Sequence, residues 1–363
     1  MASKTQDRIT TSQAVFILVN YVLVASVFTL PRVAAQKAGT PDIWLSIICG
    51  GLLFTIPAFL IACLCRKFPG ETFFQFAPKI MGKPLALAAG TLVCLYFVCY
   101  AAFELRSVQE VTVFFLLEGT PTWAVAALFL WVALYLCRGG INALSRMCRL
   151  ITPLAWTIFF GVCLLSLKVF DLDNLRPVLS EGIAPVLRGI GATPLSFTSG
   201  EALLFLVAFM DKPKQAGRVA VLGTIITIPF YVTSAVLTIG AFSVEGVVTR
   251  TWPFIDLIRS FEVAFLFERF ESLLLAIWTM QIFSTFCIAL YGAALGFSQM
   301  TGLKLNHCLF ALLPLVYLIT EAPRTINNVF AFGHFIGDWA VLMFGGLSLP
   351  LLFLAAFRRR KKA

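Results

Sequence analysis

The chain has 363 residues, of which 60% are hydrophobic and 13% charged, with 36 phenylalanines and a mean hydropathy of +0.92. A soluble domain carries about 25% charged residues, so this composition excludes a soluble globular protein and specifies an all-α polytopic membrane protein. The net charge of +10 arises from bases that alternate between loops rather than from one patch, which argues against nucleic acid as a partner.

The polar start MASKTQDRIT leads into a long apolar stretch, not a short run with a small-residue cleavage site, so the first apolar segment reads as a true span. About 20 mostly apolar residues cross a bilayer. Runs of that kind fall at 11–37, 43–65, 85–117, 122–138, 142–168, 190–210, 217–242, 265–298, 305–321 and 335–357, ten in all. The third and eighth are long enough to tilt or to project.

Span one, in "NYVLVASVFTLPRVAAQKAG", sets small residues Ala25 and Ser26 ahead of Thr29 and Pro31. Proline removes a backbone donor and clashes with the preceding turn, so a break is expected here. After span two, "GETFFQFAPKIMGK" places Phe73, Phe76, Ala77 and Ile80 on one helical face and predicts a short helix in the cytoplasmic interface; an ordinary packed loop is the alternative. Span three carries Glu104, Arg106 and Glu110. Arg106 and Glu110 are spaced i,i+4 and can pair, and Glu104 requires another partner, with Arg32 and Lys37 as candidates. An outer salt network accounts for these charges.

Span six contains "SFTSGEALLF", in which Thr198 followed by Glu201 has the form of a capping box. A helix can start at membrane depth only where the freed backbone is buried or lines a cavity. Two interruptions five spans apart, near Ala25-Ser26 and Phe197–Gly200, fit a 5+5 inverted repeat with 1–168 and 190–357 as its halves and 169–189 as an outer connector. Half-helix N-termini suit a carboxylate, and the carbonyls ending the first half-helices suit an ammonium group. Together they would form a receptor for an α-amino acid. Close helix packing at small residues is the competing reading. Glu201 is either a helix cap or a cavity-facing group that binds an ammonium or carries a proton, and the two roles are compatible. On span eight, Ser284 and Thr285 are mid-membrane hydroxyls of the type that usually back-bond to their own helix. The "FERFE" cluster at 267–271 reads as solvated or partner-facing.

The loop charges alternate. Lys4, Arg8, Arg66, Lys67, Lys79, Lys83, Arg138, Arg146, Arg149, Lys212, Lys214, Arg218, Lys304 and the terminal run 358–362 fall on one side. Glu118, Asp171, Asp173, Glu181, Asp256, Glu262, Glu268, Glu271 and Glu321 fall on the other. The positive-inside rule then puts both termini in the cytoplasm. Ten cysteines without a CxxC pair read as free thiols. Two histidines, no paired acid and base and no metal-ligand spacing argue against an enzyme, a metal centre or a cofactor.

The chain resembles the B subunits of bacterial spore germinant receptors, the spore germination permeases, and among them the GerA type. The resemblance rests on "TLPR" (29–32) with "TPDIW" (40–44), "FELR" with "FFLLEGTP" (114–121), "FDLDNLRPVLSEGIAP" (170–185), "SF" and "LFL" around Glu201 (196–206), and "ERFESLLLAIW" (268–278). It implies the amino acid–polyamine–organocation transporter fold, with ten helices in a LeuT-like 5+5 repeat whose helices 1 and 6 are broken. It implies a nutrient sensor at the inner membrane of the endospore, acting with an A subunit and a lipoprotein C subunit on an amino acid, L-alanine being the leading ligand. Related transporters place Gly-x-Gly at the first break where this chain has Val24-Ala25-Ser26, and some have a lysine in the middle of span five where this chain has only Lys168 near the end. The missing lysine favours a receptor over a coupled pump. The expected ligand contacts are Ala25, Ser26, Tyr100, Phe197, Thr198, Ser199, Gly200 and Glu201, together with Thr29 and Thr285; Glu104, Glu201 and Ser284 are candidates for gating or for a proton or ion path. An ion-coupled amino-acid transporter and a water or ion conduit are the rival functions.

Overall fold

The computed structural model describes residues 8–260 and 270–352 apart from 347 and 349. The cluster at 267–271, the acids Glu262, Glu268 and Glu271, the base Lys4 and the terminal run 358–362 fall outside the described residues or side chains.

The architecture is all-helical. Helix α1 (Thr11–Val22) starts at a capping box, with the Gln13 N–H on Thr10 Oγ1 at 3.3 Å and the Thr10 N–H on Gln13 Oε1 at 2.8 Å. After a break the chain turns by 53° into α2 (Ser26–Ala38), which ends on Gly39 at φ 74°. Next come α3 (Ile43–Cys65), α4 (Phe73–Met81), α5 (Lys83–Phe115), α6 (Thr122–Arg138) and α7 (Gly140–Ser166). Span six is built from α8 (Ala184–Ile190), α9 (Pro194–Phe197) and α10 (Gly200–Leu206). Then follow α11 (Ala216–Ile225), α12 (Ile228–Thr249), α13 (Pro253–Arg259), α14 (Phe270–Thr301), α15 (Leu305–Thr320) and α16 (Ile326–Ala340). Among the described residues, six helical stretches are long and apolar enough to cross a membrane. Two bent pairs, α1 with α2 and α8 with α9–α10, each make one more span, and α6 and α15 are shorter apolar helices. These ten follow the order of the ten apolar runs.

Two span starts differ from expectation, and the helix of span seven runs on to Thr249. The tenth span begins at Ile326 rather than 335, because Thr325 caps the helix by accepting from the Asn328 N–H at 3.3 Å while Asn327 and Asn328 stay exposed. The sixth begins at Ala184 rather than 190, with Pro185 in its first turn, where a missing N–H is harmless. It is also interrupted twice: by a 59° bend between α8 and the segment Pro194–Phe209, and by loss of helical geometry at Thr198-Ser199. The expected end of span seven at 242 coincides with a kink, since Ser243 sits at φ 57° within α12. The short helix between spans two and three is present as α4; Phe73, Phe76, Ala77 and Ile80 are all buried on it, behind a Thr72–Gln75 capping box.

Large apolar side chains ring the outside, among them Leu128 at 69% and Leu150 at 76% exposure. Water would penalise that surface and lipid does not, so the chain is a multi-pass membrane protein. Inside, α5 packs on α14 more extensively than any other pair of helices. The two broken spans meet at one end through Ile9, whose N–H donates to the Phe209 carbonyl at 2.9 Å and whose carbonyl accepts from the Asp211 N–H at 3.0 Å.

Gly296 keeps α14 close to α5: a Cβ there would overlap the Cys94 sulfur and the Phe74 ring. Gly296→Val should therefore destabilise the fold by about 1–3 kcal/mol, read as a lower thermal midpoint of the detergent-solubilised protein. An unchanged midpoint would contradict the tight α5–α14 seam.

Candidate functional site

The first span is interrupted at Leu23–Ala25, in the middle of the buried core. Backbone groups freed there must find partners, because lipid offers none. Side chains from α12 and α14 provide most of them. Tyr231 Oη donates to the Val22 carbonyl at 2.7 Å and lies 2.9 Å from Ser26 Oγ. Trp278 Nε1 donates to the Val24 carbonyl at 3.2 Å. Thr285 Oγ1 donates to the Asn20 carbonyl at 2.7 Å, and Gln281 Nε2 approaches the same oxygen at 3.4 Å. Pro31 has no N–H for the Val27 carbonyl, and Ser234 Oγ donates to it instead at 2.8 Å. Asn20 braces the other side of α1: its amide donates to the Phe16 carbonyl at 2.7 Å and to Thr152 Oγ1 at 2.5 Å, and its side-chain oxygen accepts from Ser284 at 3.1 Å.

The carbonyls of Asn20, Val22, Val24 and Val27, around the first break, are thus already taken by protein donors. Ser284 and Thr285 do back-bond to their own helix, on the Gln281 carbonyl at 2.6 and 3.5 Å, and both also hold Asn20.

At the second break, Thr198 and Ser199 leave helical geometry and α10 starts at Gly200. The capping-box expectation is corrected here. Ser199, not Thr198, is the residue before the first turn, and no side chain caps it. Ser199 Oγ instead pairs with Thr224 Oγ1 at 3.1 Å. Glu201, fully buried, points Oε1 at Tyr96 Oη (2.8 Å) and Tyr21 Oη (3.4 Å), while Oε2 has no hydrogen-bond partner. Tyr100 stacks on Tyr96 with ring centres 6.0 Å apart and meets the Tyr21 ring edge-on at 5.3 Å. Gly200 lets α10 approach α3, since a Cβ there would press on Ile61 and the Ala58 backbone. Phe197 packs edge-on against Tyr231 at 4.9 Å.

Glu104 overturns the outer-network reading for that residue. It is fully buried, and neither carboxylate oxygen has a hydrogen-bond partner. The proposed partners are engaged elsewhere: the Arg32 guanidinium lies 5.0 Å over the Phe330 ring, and Lys37 Nζ donates to the Gly191 carbonyl at 2.6 Å. The remainder of the network is present. Arg106 binds Glu110 at 2.7 Å and Glu321 at 3.6 Å.

A narrow cavity of about 40 Å³ opens beside the first break. Ala25, Ser26 and Thr29 line one wall; Phe103, Leu195 and Ser196 face them. About 10–15 Å³ of such space holds one water molecule, so the cavity takes a few waters or a ligand of a few heavy atoms. Of the expected contacts, Ala25, Ser26 and Thr29 are on its wall. Tyr100, Phe197, Thr198, Ser199, Gly200, Glu201 and Thr285 are buried around the two breaks without lining it. Asn20, Tyr21, Tyr231 and Trp278 were missed by sequence reasoning. Asn20 carried a usable signal as an amide inside an apolar span; the aromatic residues carried none, being common in such spans.

A model of the family described as "Spore germination protein" matches residues 8–329. Spore germination protein YndE of Bacillus subtilis is 45% identical over 355 residues, covering 98% of each chain. Spore germination protein A2 of the same organism is 35% identical over 98% of each chain. Among solved structures, MhsT in complex with L-phenylalanine superposes with a TM-score of 0.72 at 12% identity, covering 97% of this chain and 99% of that one. The nucleobase-cation-symport-1 family transporter Mhp1 gives 0.69 at 13% identity, covering 97% and 80%. These establish the LeuT-like fold.

Removing the Tyr231 hydroxyl should loosen the first break. Tyr231→Phe leaves the buried Val22 carbonyl unpaired, at about 1–3 kcal/mol, and amide exchange across 22–28 should rise roughly tenfold or more. Unchanged exchange there would show that the hydroxyl does not hold the break.

Proposed function

The chain belongs to the spore germination protein family, and from that premise we propose that it is the nutrient-sensing B-type subunit of a spore germinant receptor. It binds a small amino acid, with L-alanine the leading candidate, between the broken first and sixth spans. It passes the binding signal to an A subunit and a lipoprotein C subunit in the inner membrane of the endospore, with both termini on the core side.

The observation that carries this reading is the cavity of about 40 Å³ beside the first break, walled by Ala25, Ser26 and Thr29 on one side and by Ser196, two residues before the second break, on the other. Its size suits a small ligand, and its position joins the two interrupted spans. MhsT, which shares the fold, has been seen with an amino acid bound. Tyr100, Phe197, Thr198, Ser199, Gly200, Glu201 and Thr285 would shape the site from behind its walls. A ligand moves a two-state protein only by its differential affinity for the two states. Ser26 fits that requirement, because its hydroxyl already pairs with Tyr231 on α12, and a ligand that competes for it changes how α12 holds the break.

The ion-coupled transporter and the conduit remain the competing functions, and Glu104, Glu201 and Ser284 would belong to their path. A transporter would accumulate substrate in vesicles under an ion gradient; a conduit would pass water or ions when ligand binds.

Ser26→Phe fills the cavity wall. Spores relying on that variant should lose dipicolinate release in response to the effective amino acid while keeping a wild-type amount of the chain in the membrane. Normal germination by this variant would remove the ligand from this place.

A further inference from the structure

Four carbonyls around the first break already have protein donors: Asn20, Val22, Val24 and Val27 accept from Thr285, Tyr231, Trp278 and Ser234. A cationic ligand that cannot displace these donors needs another acceptor. Next to this break is a carboxylate with both oxygens unpartnered, that of Glu104. It lies beside the Ala25 N–H without closing a hydrogen bond. Ala25 lines the cavity, as do Phe103, the residue before Glu104, and Ser107, one turn further along α5. Glu201 is differently placed: two phenols hold one of its oxygens, and neither it nor its neighbours in sequence line the cavity.

Buried carboxylates without a partner are expensive inside a membrane protein and mark function. Of the bases on neighbouring elements, Arg106 binds Glu110 and Glu321, Lys37 binds Gly191, and Arg32 lies over the face of Phe330 with its Nε unpaired. Glu104, one residue behind the cavity wall, is thus a negative group with no ion pair to any base among the described residues; the titratable residue on the wall itself is His334.

We propose that Glu104 is the counter-charge for the ligand's amino group, and that the site selects primary amines, α-amino acids among them, over isosteres lacking that group. This rests on the sensing role proposed above and adds the recognition element. The ammonium group docks against Glu104 beside Ala25, and the small side chain of the ligand points along Ser26 and Thr29 toward Leu195. A site built to bond an amine rejects the analogue without it strongly, because the buried partner is left unpaired.

The test compares spores whose only B subunit is the wild-type chain or its Glu104→Gln variant. Glycine and each L-amino acid with a primary amine is paired with its 2-hydroxy acid, L-alanine with L-lactate for instance, and dipicolinate release is measured. The wild type should respond to an effective amino acid at a concentration on the order of a hundredfold below that of its hydroxy analogue. Glu104→Gln, present in the membrane at equal amount, should shrink that preference at least tenfold; a preference kept within threefold overturns the assignment. If Glu104→Gln does not accumulate, Glu104→Asp decides: response shifted to higher amino-acid concentration with the preference retained upholds it, and an unshifted response overturns it. If wild-type spores answer no amino acid, the sensing role itself fails. Thermal shifts of the purified chain with alaninol and with L-lactate then decide the Glu104 assignment alone. Stabilisation by the amine that Glu104→Gln abolishes sustains it; equal shifts in both chains overturn it.

Discussion

A backbone interrupted at membrane depth has no water to fall back on, and the rest of this molecule is arranged around that constraint. The break at Leu23–Ala25 is surrounded by Tyr231 and Ser234 from α12 and by Trp278, Gln281 and Thr285 from α14. All of these side chains are buried. The interruption is therefore a joint held by donors from two helices. Any movement of α12 or α14 has to exchange those hydrogen bonds for others.

The second break is organised differently. Ser199 pairs with Thr224 there, and its main polar feature is Glu201 under the phenols of Tyr96 and Tyr21. Tyr21 belongs to α1, so the carboxylate ties the half-helix of span six to the half-helix of span one. Tyr100 closes the cluster from α5, placing its hydroxyl 3.5 Å from the Tyr21 carbonyl. A polar seam consequently crosses the molecule from Glu201 through three tyrosine rings toward Glu104. Each of its members is individually unfavourable in an apolar interior, and together they satisfy one another except at Glu104 and at one oxygen of Glu201.

Ten spans could be read from hydropathy because each is a run too long and too apolar to be anything else. Their ends were legible only where loops are charged. The tenth span extended nine residues past the apolar run because a Thr325 cap and exposed asparagines continue a helix that hydropathy does not register. The first break was visible in Pro31 and the small residues ahead of it, and the second in Ser199-Gly200. The partners of those breaks were not visible. Tyr231 and Trp278 lie more than 200 positions from the carbonyls they cap, and no local pattern links residues so far apart. Glu104 shows the same limit: its burial follows from how α5 packs against the first break, whereas its neighbours in sequence, Arg106 and Glu110, pair locally as their spacing requires.

The two breaks are not independent. At one end Ile9 and the segment 209–211 exchange hydrogen bonds, and in the core Tyr21 reaches Glu201. A displacement of span one therefore loads span six at two points, one central and one peripheral. The cavity lies between them, with Ser26 on one wall and Ser196 on the other. A ligand placed there touches both broken spans. Under the proposed sensing role, binding energy would act on the part of the core where the two broken helices meet, with the continuous helices α5 and α14, packed closely through Gly296, as the frame. In a fold of this kind the unfavourable features, two broken helices and two buried carboxylates, are gathered in one place, and that is where a small ligand can shift the balance between states.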